Sequence, residues 1–129
     1  MTIELYSLTA TGLLLLVLAN FSAALYGGQV GNPALMGNRE TIPGPEGAAR
    51  RAQRAHQNLI ENAVPFAIAV LVAQALHFST PITKGATLAF IAARVVHALV
   101  YIAGIPVVRT LAWVVGVVAT IVIFVATLV

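Results

Sequence analysis

The sequence predicts an all-α integral membrane protein, a bundle of four spanning helices. The first observation is composition: hydrophobic residues make up 60% of the 129 residues, charged residues 9%, and the mean hydropathy is +0.95. An ordinary soluble domain is about 45–50% apolar and about 25% charged. Because so few charged residues cannot cover a globule of this size, a soluble enzyme, a nucleic-acid-binding protein and a disordered protein are excluded. The second observation is that four apolar runs divide the chain.

The first two predicted spans cover residues 5–26 and 49–78. A spanning helix needs about 20 mostly apolar residues, and Leu5 to Tyr26 contains no ionisable group other than tyrosine. The absence of Lys and Arg before this run, and its length, argue against a cleaved signal peptide. The second span starts with the polar helix-forming stretch GAARRAQRAHQN and continues into an apolar run.

The third and fourth predicted spans cover residues 82–103 and 107–129, with short proline-containing turns before each. Residues 27–48 are predicted to form one long polar loop. The stretch GGQVGNPALMGNRETIPGPEG within it holds six of the ten glycines and three of the six prolines, and such a density of helix breakers is typical of a loop.

The distribution of basic residues predicts the orientation. Arg39, Arg50, Arg51 and Arg54 follow the first span, whereas only Lys84 lies near the second turn. Since cytoplasmic loops carry an excess of Lys and Arg, the first and third loops are predicted to be cytoplasmic and both termini outside. The expected location is the bacterial inner membrane.

Three polar residues of the second span share one helical face. Arg54, Asn58 and Glu61 are spaced i, i+4, i+7. Arginine can donate to a carboxylate, asparagine can donate and accept, and glutamate can accept from an ammonium group. Two interpretations stay open: the three residues bind a zwitterionic or peptide-like ligand, or Arg54 and Glu61 pair with each other.

The third span repeats the pattern with Arg94, His97 and Tyr101 at i, i+3, i+7. An arginine at membrane depth needs a partner. Glu61 is the only acid inside the predicted spans, so an interhelical Arg94–Glu61 pair is expected. His97 and Tyr101 are candidates either for ligand contacts or for satisfied hydrogen bonds in the interior.

Other chemistries find little support in the sequence. The chain contains no Cys and no Asp, which excludes a thiolate nucleophile and a Ser-His-Asp triad. Its three histidines, at positions 56, 77 and 97, lack metal-ligand spacing, so no metal site is predicted. Arg109, Thr110 and Trp113 open the fourth span, where an interfacial cation and an aromatic ring are ordinarily membrane anchors.

The segment RRAQRAHQNLIENAVPF (50–66) resembles the MAPEG family, membrane-associated proteins in eicosanoid and glutathione metabolism. The family pattern R-x-x-x-N-x-x-E, followed by proline, is matched at Arg54, Asn58, Glu61 and Pro65. The stretch ARVVHALVYIAGIP and the Arg-Thr pair opening the fourth span are similar to the family's third and fourth helices, so the resemblance covers nearly the whole chain.

This resemblance implies a homotrimer that binds glutathione between subunits near the cytoplasmic side. The implied glutathione-binding residues are Arg54, Asn58, Glu61, His97 and Tyr101. The implied catalytic residues are Arg109 and Thr110, which would stabilise the glutathione thiolate for attack on a lipophilic electrophile or peroxide dissolved in the bilayer.

Two alternatives to this glutathione-dependent transferase or peroxidase stay open. In the first, the chain is a non-catalytic MAPEG-like protein that binds lipid or serves as a subunit of a larger membrane complex. Glutathione-using relatives often carry basic residues at the positions of Gly31 and Gln57, and tyrosine at the position of Trp113, which favours this alternative. In the second, Glu61 is the titrating group of a small proton-coupled exporter.

Overall fold

Four long helices carry the apolar runs of the chain, and one short helix follows the first of them. The computed structural model describes residues 1–129. The helices are α1 (Ile3–Val30), α2 (Asn32–Leu35), α3 (Gly47–Ala75), α4 (Pro81–Ala103) and α5 (Pro106–Leu128). All but α2 are long and apolar enough to cross a membrane, so the expected all-α membrane bundle with four spans is confirmed.

The long helices alternate in direction, which gives the bundle two distinct ends. The termini end carries the start of α1 and the turn between α3 and α4; the loop end carries the α1–α3 connection and the turn between α4 and α5. Helix α4 packs most extensively against α5, and α1 packs mainly against α3, whereas α1 and α5 do not pack against each other. Helices α3 and α4 therefore form the centre of the bundle.

Helix α4 has strong signals at both ends. At its start, the Thr80 hydroxyl accepts from the Thr83 amide at 3.2 Å while the Thr83 hydroxyl accepts from the Thr80 amide at 2.9 Å. This reciprocal capping box satisfies two amides that the first helical turn leaves free. At its end, Gly104 adopts the left-handed conformation with φ 83°, which glycine tolerates without steric cost.

The first helix is longer at the loop end than the sequence predicts. It continues through Gly27 and Gly28 to Val30, and the Gly31 amide closes it on the Gly27 carbonyl at 2.8 Å. A Cβ on Gly27 would lie 2.5 Å from Oδ1 of Asn32. Gly27, which the sequence predicts to lie in the loop, instead lets α2 pack closely against α1.

Hydrogen bonds close the connection between α1 and α3. The Gln29 side chain donates to the Glu46 carbonyl at 2.9 Å and accepts from the Glu46 amide at 3.1 Å. The Tyr26 hydroxyl donates to the Pro43 carbonyl at 2.6 Å. The far end of the polar loop is thereby fixed to the last turns of α1, the helix from which the loop starts.

The apolar centre of the bundle lies between the two ends. Phe66 of α3 and Phe90 of α4 stack with ring centroids 3.7 Å apart and planes 3° from parallel. Alanines fill most of the remaining buried positions of α3, so the helix backbones can approach closely. This layer separates the polar residues of the termini end from those of the loop end.

The start of α1 corrects a second expectation. The predicted first span begins at Leu5 and leaves Glu4 outside it, but Glu4 lies in the first turn of α1 and is only 3% exposed. Its Oε1 accepts from the Thr83 hydroxyl at 2.7 Å and from the Ser79 hydroxyl at 3.0 Å. Glu61 is therefore not the only acid within the spanning helices. We refer to Glu4, Ser79 and Thr83 as the Glu4 cluster.

Candidate functional site

A polar cleft of about 280 Å³ opens at the loop end, between α3, α4 and α5. It is small and open, and it combines aromatic, amide, hydroxyl and cationic groups. Its lining consists of Asn58, His97, Tyr101, Arg109, Thr110 and Trp113. Five of the seven residues that the sequence singles out as catalytic or glutathione-binding therefore come together in one place.

One wall of the cleft belongs to α4. His97 and Tyr101 are four residues apart and so lie on the same helical face, with their rings edge to face and the centroids 5.4 Å apart. The Arg109 guanidinium carbon lies 4.7 Å from the centroid of the Tyr101 ring. A guanidinium at this distance is attracted to the ring face, and the contact holds the Arg109 cation at the cleft.

The opposite side of the entrance comes from the first turns of α5. The Thr110 hydroxyl donates to the Pro106 carbonyl at 3.0 Å, within its own helix. The Thr110 oxygen can still accept a hydrogen bond, but the hydroxyl group would have to rotate away from Pro106 to donate to a thiolate. Trp113 completes this side of the cleft. The sequence predicts a membrane anchor here, although the i+4 position of Trp113 relative to Arg109 places both residues on one face.

Arg94 lies behind the cleft, and its partners differ from the expectation. Its Nη1 donates to Asn58 Oδ1 at 3.2 Å, and its Nη2 donates to Asn62 Oδ1 at 3.1 Å and to the Trp113 carbonyl at 3.3 Å. The predicted Arg94–Glu61 pair is wrong. Successive residues of a helix are about 100° apart, so α3 turns Asn58 and Asn62 toward Arg94 and Glu61 away from it.

Arg54 and Glu61 do not line the cleft. Both are exposed on the outward face of α3. Glu61 Oε1 accepts a hydrogen bond from Gln57 Nε2 at 3.2 Å, so the alternative in which Arg54 pairs with Glu61 within one chain is also not what the structure has. Within one chain, the second-helix motif is split between the cleft, which receives Asn58, and an outward-facing charged surface.

The electrostatics of the cleft favour an anionic ligand. Arg109 is in its lining, Arg94 lies immediately behind it, and no carboxylate lines it. A second, less polar pocket adjoins the cleft at Thr110 and is otherwise lined by Pro106, Val107 and Leu111. The site can therefore place an anion beside an apolar group at the loop end of the bundle.

The family model for the MAPEG family matches residues 3–129. The chain belongs to the MAPEG family. Comparison with the curated proteins and with the solved structures gives no match. The family resemblance seen in the sequence is thus confirmed over essentially the whole chain, and the protein is a MAPEG membrane protein with four spanning helices.

Within this MAPEG chain, sequence reasoning missed three residues that shape the site. Asn62 and Gly116 are not among the residues that the sequence singles out, and Trp113 is expected from the sequence to be a membrane anchor. Each lies on the same helical face as a residue that was singled out: Asn62 is four residues after Asn58, and Trp113 is four after Arg109. The spacing that identified the motif could therefore have identified the first two.

Proposed function

We propose that this MAPEG protein is a glutathione-dependent transferase or peroxidase that acts on lipophilic substrates at the cytoplasmic side of the bacterial inner membrane. The observation that carries the proposal is the polar cleft, which combines a fixed arginine with hydrogen-bonding side chains and has no carboxylate in its lining. The adjoining apolar pocket at Thr110 suits the lipophilic partner of the reaction.

Arg109 is the residue that would act on the glutathione thiol. A cysteine-type thiol has an ordinary pKa of about 8.5, so only a few per cent is ionised at neutral pH. A guanidinium nearby favours the anion and lowers the thiol pKa. The Tyr101 ring beneath Arg109 restricts where that charge can lie, which prepares the site for the thiolate before the ligand arrives.

The two reactions share this thiolate. In the transferase reaction the sulfur attacks an electrophilic carbon, a sulfur–carbon bond forms, and the leaving group departs with the bonding electrons. In the peroxidase reaction the sulfur attacks a hydroperoxide oxygen and the alcohol leaves. A second glutathione then displaces water from the oxidised sulfur to give the disulfide.

The outward-facing residues of α3 support a homotrimer as the active form. Arg54 and Glu61 are exposed in one chain, although a charged side chain in contact with lipid costs at least about 2.5–3.5 kcal/mol at membrane depth. A neighbouring subunit would cover them and bring them to a ligand that spans the subunit boundary. Arg54 would then bind a glutathione carboxylate and Glu61 its ammonium group, while Asn58, His97 and Tyr101 contact the ligand from the cleft.

The proposal is tested by titrating glutathione into the protein in nanodiscs, with heat and ultraviolet thiolate absorbance as the two readouts. We expect saturable binding, thiolate at neutral pH, and conjugation of an activated aryl halide. Arg109→Ala should lower turnover by about 10²-fold, the usual effect of removing one charge-stabilising group. Arg50→Ala is the matched control, since Arg50 is exposed and donates to the Pro45 carbonyl away from the cleft.

A non-catalytic MAPEG-like protein, which binds lipid or joins a larger complex, is the second candidate. The bond from Gln57 to Glu61 favours it, because this contact occupies a carboxylate oxygen that the glutathione ammonium would need. The absence of both binding heat and thiolate absorbance at millimolar glutathione would refute the proposed enzymatic function and leave this candidate. Turnover that is equal in wild type and Arg109→Ala would remove the thiolate role of Arg109.

A further inference from the structure

The Arg94 side chain is only 1% exposed and has no carboxylate partner. Its hydrogen bonds go to the amide oxygens of Asn58 and Asn62 and to the Trp113 carbonyl, and its Nε is buried without a partner. A buried cation of this kind is costly in a membrane. The cluster of Arg94, Asn58, Asn62 and the Trp113 carbonyl, called here the Arg94 network, lies against the polar cleft.

The Arg94 guanidinium is closely packed on two sides. A Cβ on Gly116 would overlap Nη2 and would lie 2.7 Å from Nε. On the α4 side, the guanidinium carbon is 5.3 Å from the centroid of the Phe90 ring. Glycine on α5 therefore creates the space that the guanidinium fills, and the aromatic ring limits its movement toward the apolar centre of the bundle.

This fixed guanidinium determines which way the Asn58 amide faces. A guanidinium can only donate, so the atom of Asn58 that contacts it must be the oxygen. Asn62 Nδ2 also approaches Asn58 Oδ1, at 3.4 Å, and donates to the Asn58 carbonyl at 2.8 Å. With Oδ1 engaged, the Nδ2 group of Asn58 is left without a hydrogen bond to the chain, in a residue that lines the cleft.

We propose that Arg94 is a positioning residue that holds the Asn58 amide with its NH₂ group toward the cleft. The cleft thereby offers a donor at this position and selects a ligand with an acceptor there, a carboxylate or an amide carbonyl oxygen. Arg94 does not touch the ligand; it acts through Asn58. The inference rests on the proposed function only in using the same cleft, because it concerns the hydrogen-bonding pattern and not the thiol chemistry.

Two matched variants distinguish the effect of the Asn58 amide orientation from the effect of the Arg94 charge. Asn58→Asp and Asn62→Asp each give Arg94 a carboxylate partner, so both should fold, and each neutralises the same guanidinium. Only Asn58→Asp replaces the donor that faces the cleft with an acceptor. Trp113 is the only tryptophan of the chain and lines the cleft, so its fluorescence in nanodiscs reports binding without a label.

The probes are glutathione and, separately, N-acetylglycine, which offers a carboxylate and an amide carbonyl but no thiol. We expect Asn58→Asp to weaken binding of both probes by about tenfold or more, because a charge-assisted hydrogen bond is lost and a carboxylate faces the ligand. Asn62→Asp should weaken both probes by about threefold or less. The ratio between the two variants measures the contribution of the Asn58 donor.

Each outcome decides for or against the positioning role. Equal losses in the two variants would overturn it, since the effect would then come from neutralising Arg94. Unchanged binding in Asn58→Asp would overturn it as well, and so would a wild type that binds neither probe. A wild type that binds N-acetylglycine but not glutathione, with the expected ratio, would refute the proposed function and support the positioning role.

A third variant acts on Arg94 itself. Arg94→Met keeps much of the side-chain length but frees the Asn58 amide to rotate. A folded variant should therefore lose affinity for both probes, but by a smaller factor than Asn58→Asp, because the amide can still donate and no carboxylate faces the ligand. Wild-type affinity in folded Arg94→Met would contradict the proposal. If this variant does not fold, the comparison of Asn58→Asp with Asn62→Asp still decides.

Discussion

The bundle buries one carboxylate, that of Glu4 at the termini end, and one guanidinium, that of Arg94 in the half toward the loop end, and neither is paired with an opposite charge. Glu4 is held by the hydroxyls of Ser79 and Thr83, at the start of α4. Arg94 is held by amides and a carbonyl, and one of those amides, that of Asn58, belongs to the polar cleft.

The two regions differ in whether the residues that bind the charge keep a free hydrogen-bonding group. The hydroxyls around Glu4 donate to it or take part in the capping box of α4, so these groups are engaged by contacts within the chain. The network around Arg94 leaves a donor of Asn58 unused at an open surface. Each of the two charges has one buried atom without a hydrogen bond, Oε2 of Glu4 and Nε of Arg94. A buried charge whose neighbours have no free group at an open surface joins helices, whereas one whose partner retains such a group can act on a ligand.

The largest effect is expected from Gly116→Ala, which should disrupt the Arg94 network. The new methyl group would overlap the guanidinium, so Arg94 must leave its position and its three acceptors. We expect the free energy of unfolding to fall by about 3 kcal/mol, from overpacking and lost hydrogen bonds together. Affinity for N-acetylglycine should fall as well. Unfolding in mixed micelles and Trp113 fluorescence measure the two effects.

Gly12→Ala is the matched control for that substitution. Gly12 lies within α1, and a Cβ there would meet nothing within 4 Å. Because glycine inside a helix is less stable than alanine by roughly 0.5–1 kcal/mol, this variant should be at least as stable as wild type. If Gly116→Ala were equally harmless, the close packing of Arg94 against α5 would be refuted.

A smaller loss, confined to stability, is expected from Glu4→Leu. The hydroxyls of Ser79 and Thr83 lose their acceptor, and the start of α4 loses a negative charge that its helix dipole favours. We expect the free energy of unfolding to fall by about 2 kcal/mol and binding at the cleft to stay within about twofold. Glu4→Gln keeps one acceptor oxygen and should lose less.

If Glu4→Leu changed the affinity of the polar cleft for its ligand, the two regions could no longer be treated as independent. The layer around the stacked rings of Phe66 and Phe90 lies between them, and sites with no shared partners ordinarily behave independently. Weaker ligand binding in Glu4→Leu would mean that this layer couples the Glu4 cluster to the cleft. Unaltered stability in Glu4→Leu would contradict the joining role of the carboxylate itself.

The sequence predicts the helices because hydrophobicity alone determines which segments can span a membrane. It fails at Gly27 because glycine neither requires nor forbids a helix. The backbone hydrogen bonds of α1 continue to the Gly31 amide, and Asn32, five residues after Gly27, occupies the space that a side chain at Gly27 would fill. It also misplaces Glu4, because hydroxyls from the distant residues Ser79 and Thr83 make burial of that carboxylate tolerable.

For the candidate site, helical spacing brings His97 and Tyr101 together correctly but cannot choose the partner of Arg94. An argument from charge selects Glu61, whereas the rotation of α3 presents Asn58 and Asn62. That rotation is set by packing of the alanine-rich face of α3 against its neighbours. Charge alone does not identify the partner when amide oxygens on the buried side can accept the same hydrogen bonds.

The smallest effect is expected at the other end of α4, where Arg51 of α3 donates from Nε to the Ile102 carbonyl at 2.7 Å. A cation at a helix C-terminus is favourable. Arg51 therefore stabilises the end of α4 by its charge, as Glu4 stabilises the start. Arg51→Met should lower the free energy of unfolding by about 1 kcal/mol. Arg50→Met is its control, because Arg50 is exposed and bonds only to the nearby Pro45 carbonyl.

The double variant Glu4→Leu/Arg51→Met extends this test to α4 as a whole. The helix has 23 residues and so is roughly 35 Å long at 1.5 Å per residue, which places the two substitutions far beyond the distance at which effects on stability ordinarily interact. We expect the two losses to add within about 0.5 kcal/mol. A loss well above the sum would show that α4 responds as one unit to its two terminal charges, and the two ends of the bundle would then no longer be independent regions.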